Sequence, residues 1–133
     1  MDNYSIQQLK LSDWQRFRTI RLRALEESPD AFGSTLEREQ KFTAEEWPIR
    51  LTRENVATFI AVSDEENDLG LTVGAPYDDA VGLFGMWVAP EARGTGVGGA
   101  LVDAVIRWAK QSGHQRILLD VGDDNTPAIT LYE

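Results

Sequence analysis

Met86-Trp87-Val88-Ala89-Pro90-Glu91-Ala92-Arg93-Gly94-Thr95-Gly96-Val97-Gly98-Gly99 reads as a strand end, a turn, a glycine-rich loop and a helix start in succession. Helix N-termini carry unpaired N–H groups and a partial positive charge, so they attract phosphate. Glycines let the main chain come close to an anion and accept positive φ. Arg93 adds a planar cation suited to phosphate oxygens. A loop that only reversed the chain would have no use for four glycines in the six positions Gly94–Gly99, each of which weakens a helix start. A phosphorylated ligand is therefore expected here.

Downstream, the helix is expected from about Gly98 to Ser112, with Ala100, Leu101, Ala104, Val105 and Trp108 as its buried stripe and Gly113 as its stop. Arg116–Val121 is almost wholly apolar (Ile117, Leu118, Leu119), as an interior strand would be. Thr126-Pro127 then has the look of a helix start, threonine as cap and proline in the first turn. His114 falls in the turn after Gly113 and is expected to be exposed.

Upstream, Thr58–Val62, Leu69–Val73 and Ala80–Val88 are strand signals joined by the short acidic connections Ser63–Asp68 and Pro76–Asp79, a pattern of antiparallel hairpins. Asp64, Glu65, Glu66 and Asp68 lack the alternating spacing and closing glutamate of a calcium loop, so they read as a solvated turn. Thr43 with Glu46 forms a capping box ahead of Trp47 and Leu51. Ser12 with Gln15 forms another, opening a helix that carries Trp14, Phe17, Ile20 and Ala24 on one face and ends by Ser28-Pro29. Arg16, Arg18, Arg21 and Arg23 on the rest of that helix read as a solvated face paired with nearby acids. Ile6–Leu11 is a first short strand. The fold class is thus a mixed α+β sheet flanked by helices, with one crossover from Ala80 to Val121 making a parallel pair.

The 133 residues suit one domain, and 42% hydrophobic with 26% charged residues is ordinary globular composition. A formal net charge of -9 repels nucleic acid and anionic membrane surfaces and modestly favours cationic partners. The lack of cysteine excludes disulfides, thiolate metal sites and a cysteine nucleophile. The polar opening Met1-Asp2-Asn3-Tyr4 is no secretory signal, and the apolar runs are too short to span a bilayer. A soluble, cytoplasmic protein is expected.

Two phosphate ligands fit the loop. Gly94-x-Gly96-x-x-Gly99 with Asp120 further on satisfies a dinucleotide fingerprint and would suggest a nucleotide-dependent oxidoreductase. In such folds, however, the glycines follow the strand directly, whereas Ala89–Arg93 intervene here, and few residues follow Asp120. The second match is to a family. Val88-x-Pro90-x-x-Arg93-Gly94-x-Gly96-x-Gly98, with Asn125, Ala128 and Tyr132 downstream, resembles the N-acetyltransferases of the GNAT family. Arg21–Leu25 and Asp30–Ser34 also look like first-helix segments of small acetyltransferases.

The resemblance implies a single N-acyltransferase domain over residues 1–133, with acetyl-CoA as co-substrate. It implies that the fourth strand splays from the fifth to admit the pantetheine arm. Main-chain groups of Met86, Trp87 and Val88 would bind that arm. Arg93, Gly94, Thr95, Gly96, Val97, Gly98 and Gly99 would cradle the pyrophosphate, and Asn125 would touch the cofactor from the neighbouring helix. Tyr132 would be the acid for the leaving thiolate, and Asp120 a carboxylate base on the fifth strand. Two more strands usually follow the tyrosine helix, so the domain is expected to be truncated at Tyr132-Glu133. The open sheet edge would invite a homodimer. An amine acceptor, small molecule or protein, is implied, and an acyl-CoA-binding module without turnover is the alternative.

Overall fold

The computed structural model describes residues 4–28, 35–53, 55–77, 80–113, 116–121 and 126–131. Its elements run β1 (Tyr4–Gln8), a 3-10 turn (Leu11–Asp13), α1 (Trp14–Glu27), α2 (Leu36–Gln40), α3 (Glu46–Thr52), β2 (Ala57–Ser63), β3 (Asp68–Tyr77), β4 (Ala80–Val88), a second 3-10 turn (Pro90–Ala92), α4 (Val97–Gln111), β5 (Arg116–Val121) and β6 (Thr126–Leu131). Among the described residues the strands form one sheet in the order β1-β2-β3-β4-β5-β6. All neighbours are antiparallel except β4 and β5, the parallel pair that the crossover requires.

The interior strand β2 shows how the sheet is covered on both faces. Its residues 57–62 are all buried. Ala57, Phe59 and Ala61 join the core under α4, while Ile60 and Val62 join the core under α1 and α3, as the two-residue period of a strand demands. Two bulges then switch faces. Ala61 pairs with Gly70 but Val62 with Asp68, so the extra residue puts Leu69 and Leu71 on opposite faces. On β4, Val81 and Leu83 pack under α4, yet after a second bulge Met86 and Val88 do so and Trp87 turns to α1.

The α4 stripe is Val97, Leu101, Val105 and Ala109, with Ala104 and Trp108 only partly buried at its side. Trp108 packs close against Gly74 of β3: a methyl there would come within 2.9 Å of its ring. On α1 the buried residues are Phe17, Ile20, Arg21, Ala24 and Leu25. Arg21 is thus inside, where a solvated position was expected. The capping box of α3 forms as the sequence predicts, Glu46 N–H donating to Thr43 Oγ1 at 3.2 Å. The α1 cap does not: Ser12 lies inside the 3-10 turn, and Lys10 N–H donates to Asp13 Oδ2 at 2.8 Å. Helix α2, capped by Thr35, was not anticipated.

The largest correction concerns Thr126-Pro127. No helix opens there; β6 runs antiparallel to β5 from Arg116↔Leu131 to Val121↔Thr126. A segment this short is marginal as an isolated helix, whereas pairing satisfies the open edge of β5. Pro127 is tolerated because β6 is an edge strand, where a missing N–H costs little. Asn125, Tyr132 and His114 lie outside the described residues.

Candidate functional site

The site is built where β4 changes character. Leu71 pairs with Trp87 and Val73 with Phe84, three steps on β4 against two on β3. Gly85 absorbs the bulge at φ +60°, and the Thr72 hydroxyl donates to the Phe84 carbonyl at 3.3 Å. The parallel ladder to β5 ends at Leu83↔Leu119, so residues 84–88 have no β5 partner. β4 and β5 therefore part beyond Leu83, leaving the main chain of Met86, Trp87 and Val88 without a β5 partner among the described residues. Asp120 is the first β5 residue past the ladder to β4, and it pairs with Pro127 of β6.

From β4 the chain passes through the Pro90–Ala92 turn to Arg93, then Gly94 at φ +81° and Gly96 at φ +90°. Gly96 is the N-cap of α4 and has no side chain with which to cap it. The first helical hydrogen bond runs from Ala100 N–H to the Gly96 carbonyl at 3.0 Å. Among the described residues nothing accepts from Val97, Gly98 or Gly99 N–H, the donors a helix start leaves open. Thr95 is tied back, its N–H and hydroxyl both donating to the Ala92 carbonyl. Gly98 lets α4 settle against β4, where a methyl would touch Met86 Cε at 3.4 Å, while a methyl on Gly99 would meet open space. Loop and strand are thus one surface: helix-start donors beside an unpaired strand edge.

The Arg93 guanidinium joins the two. Its Nε donates to the Val88 carbonyl at 3.0 Å, and its Nη2 donates to both Glu27 oxygens at 3.0 Å. Glu27 also accepts from Trp87 Nε1 at 2.8 Å. The carboxyl of Glu27 is held below its usual range by the Ser28 hydroxyl first, then by the Trp87 indole and Arg93. Alongside, Arg23 stands 5.2 Å over the Trp87 ring and donates to both oxygens of Glu91 in the turn before the loop. The end of α1 is therefore fastened to the loop and to β4. Sequence reasoning missed Glu27, because its partners lie 60 and 66 residues away.

A mixed sheet opened by a bulged fourth strand, with a glycine-capped helix beside the opening, defines an acyl-CoA-type transferase fold. The chain belongs to the acetyltransferase (GNAT) family, whose profile it matches over residues 14–133. It is 35% identical over 75 residues to an uncharacterized N-acetyltransferase, YobR, of Bacillus subtilis (strain 168), covering 56% of this chain and 30% of that protein. It is 30% identical over 86 residues to human N-acetyltransferase 8, covering 60% of this chain and 38% of the relative. The chain thus spans about a third of the length of these relatives. Among solved structures it superposes on the aminoglycoside N-acetyltransferase AAC(6')-Iy in complex with CoA, at TM-score 0.71 and 22% identity, over 94% of this chain and 81% of that one. It also superposes on the PaiA N-acetyltransferase of Thermoplasma acidophilum in complex with coenzyme A, at TM-score 0.73 and 15% identity, over 93% and 82%. No helix among the described residues is long and apolar enough to cross a membrane. No group of three or more potential metal ligands occurs among them either.

Proposed function

We propose that the chain is an acetyl-CoA-dependent N-acetyltransferase domain that acetylates a primary amine by direct attack on the thioester. The observation that carries this is the continuity between the open N–H groups of residues 97–99 and the unpaired β4 edge at 86–88. The first suits a pyrophosphate and the second a pantetheine arm with a thioester at its end.

In this reading the neutral amine nitrogen bonds to the thioester carbonyl carbon. A main-chain N–H of β4 stabilises the developing oxyanion, a contribution of several kcal/mol in comparable sites, on the order of 3 kcal/mol for one donor. The nitrogen–carbon bond forms, the carbon–sulfur bond breaks, and the electron pair leaves on sulfur. Asp120 takes the amine proton and Tyr132 supplies one to the thiolate, whose parent thiol has a pKa of about 8.5. Holding both reactants together removes much of the entropic barrier. The cytoplasm supplies acetyl-CoA and is the proposed location.

Calorimetric titration with acetyl-CoA tests the donor, and the absence of heat would refute it. Release of CoA thiol across a panel of amines separates turnover from an acyl-CoA-binding module. Tyr132→Phe is expected to lower kcat with little change in acetyl-CoA affinity; equal loss of binding would make Tyr132 structural.

A further inference from the structure

We propose that the pocket walled by α1, α2 and α3 is an oxyanion subsite for the acceptor, so that the amine acetylated here carries a carboxylate or phosphate group. The inference rests on the acetyl-transfer reading and gives that site an acceptor class.

The pocket encloses about 380 Å³, and its lining holds Arg21, Arg38, Arg50 and Arg53 against only Glu39 and Glu46. Both carboxylates are engaged. Glu39 is 2% exposed and receives Arg21 Nε at 3.0 Å, Arg21 Nη2 at 2.9 Å and Arg50 Nη1 at 2.8 Å. Glu46 is the return arm of the α3 capping box, accepting from Thr43 N–H at 3.4 Å. Among the described residues neither Arg38 nor Arg53 has a carboxylate within ion-pair distance, and both side chains reach the pocket from exposed positions. In a chain of net charge -9, four arginines round one saturated buried carboxylate are a local reversal of sign. Burial is the main influence disfavouring the protonated form of Arg50; the hydrogen bond and charge of Glu39 offset it, and the charges of Arg21 and Arg53 add smaller repulsions. An entering oxyanion would relieve this repulsion and gain charge-assisted, forked hydrogen bonds.

The pocket is also placed for acceptors. Arg21 lines it and reaches the β4 bulge, where a methyl on Gly85 would lie 3.2 Å from Arg21 Nη1. Arg21 thus links the pocket to the strand segment just before Met86, on the face opposite α4. A thioester lying along 86–88 from the α4 side would meet an amine whose acidic group is anchored on the α1–α3 side.

The test has two arms. In the first, succinate, inorganic phosphate and neutral succinamide are titrated into the protein by calorimetry. Saturable binding of succinate or phosphate, but not of succinamide, is expected, and which anion binds tighter identifies the group. The Arg38→Ala/Arg53→Ala double variant, altered only at exposed positions, should weaken it at least about tenfold, the loss of a charge-assisted hydrogen bond. Its affinity for acetyl-CoA should stay within about twofold, since neither side chain approaches the glycine loop. In the second arm, an amino acid is compared with its amide as acceptor. A kcat/KM preference for the acid of about tenfold or more is expected, lost in the double variant through KM. No saturable anion binding, or binding unchanged in the variant, overturns the proposal, as does an amide used as well as the acid. Failure of acetyl-CoA to bind would instead strike the acetyl-transfer reading, while the anion titration would still decide the subsite.

Discussion

Gly96 shows how much one residue carries. At φ +90° it occupies a left-handed conformation that a side chain resists by about 1–2 kcal/mol, although a methyl there would approach only Tyr4 Oη, at 3.4 Å. Gly96→Ala should therefore lower stability by about that amount and weaken acetyl-CoA binding as the donors of residues 97–99 move; denaturant melts and calorimetry check the two effects. At Gly74 the obstacle is space and not conformation. A methyl would lie 2.9 Å from the Trp108 ring and 3.1 Å from Val105 Cγ1, so Gly74→Ala should cost about 1–3 kcal/mol in urea denaturation, with acetyl-CoA affinity preserved at the remaining folded fraction. Arg93 acts through geometry: its fork serves the Val88 carbonyl and Glu27 at once, which a lysine cannot do. The pair is half-exposed, so Arg93→Lys should change the melting midpoint little, yet weaken acetyl-CoA binding about tenfold.

At the scale of elements, α1, α2 and α3 are held to one another by a carboxylate. Burial would raise the Glu39 carboxyl, but hydrogen bonds from Arg21 and Arg50 prevail and bring it from 4.5 to about 2. A depressed carboxyl stabilises the fold fully above its unfolded value and loses that contribution as pH falls toward the folded one. Glu39→Gln should thus destabilise by about 3–5 kcal/mol at neutral pH, because two guanidiniums lose their counter-charge. The gap to the native chain should narrow as pH drops from 4.5 toward 2, a trend that thermal melts across that range would reveal. Elements whose signals are local were legible from sequence. β2, β4 and β5 announced themselves by apolar runs, and α4 by its stripe behind a glycine loop. Helix α2 has five residues, too few to show a period, and only its Thr35 cap marked it. β6 was misread because Thr126-Pro127 is a sound local cap signal, overridden by pairing with a strand that local reading does not see. The candidate site divides in the same way: the glycine loop and the end of β4 are contiguous and readable, whereas the contact of Glu27 with Arg93 and Trp87 arises only on folding. Arg21 was mistaken for a surface residue because its partner Glu39 sits on the unforeseen helix.

At the scale of the molecule, the sheet separates two chemistries. The glycine-capped helix start belongs to the α4 face, the arginine pocket to the α1–α3 face, and β4 with its bulge lies between them. If the two proposed sites hold, donor and acceptor occupy the protein together from opposite sides, and neither need leave before the other arrives. The chain offers no cysteine to hold an acetyl group between two half-reactions, and its one histidine, His114, was expected in the exposed turn after Gly113. A covalent relay would need a nucleophile beside β4, and among the described residues 84–88 the strand supplies only Phe84, Gly85, Met86, Trp87 and Val88. This favours the proposed direct attack of the amine on bound acetyl-CoA. Initial rates measured over a matrix of acetyl-CoA and amine concentrations should give intersecting double-reciprocal lines, and intact-mass analysis after acetyl-CoA alone should show no acetylated protein. Parallel lines together with a stable acetyl adduct would replace direct attack with a two-step exchange, and would move the search for catalytic groups to a nucleophile beyond residues 84–88.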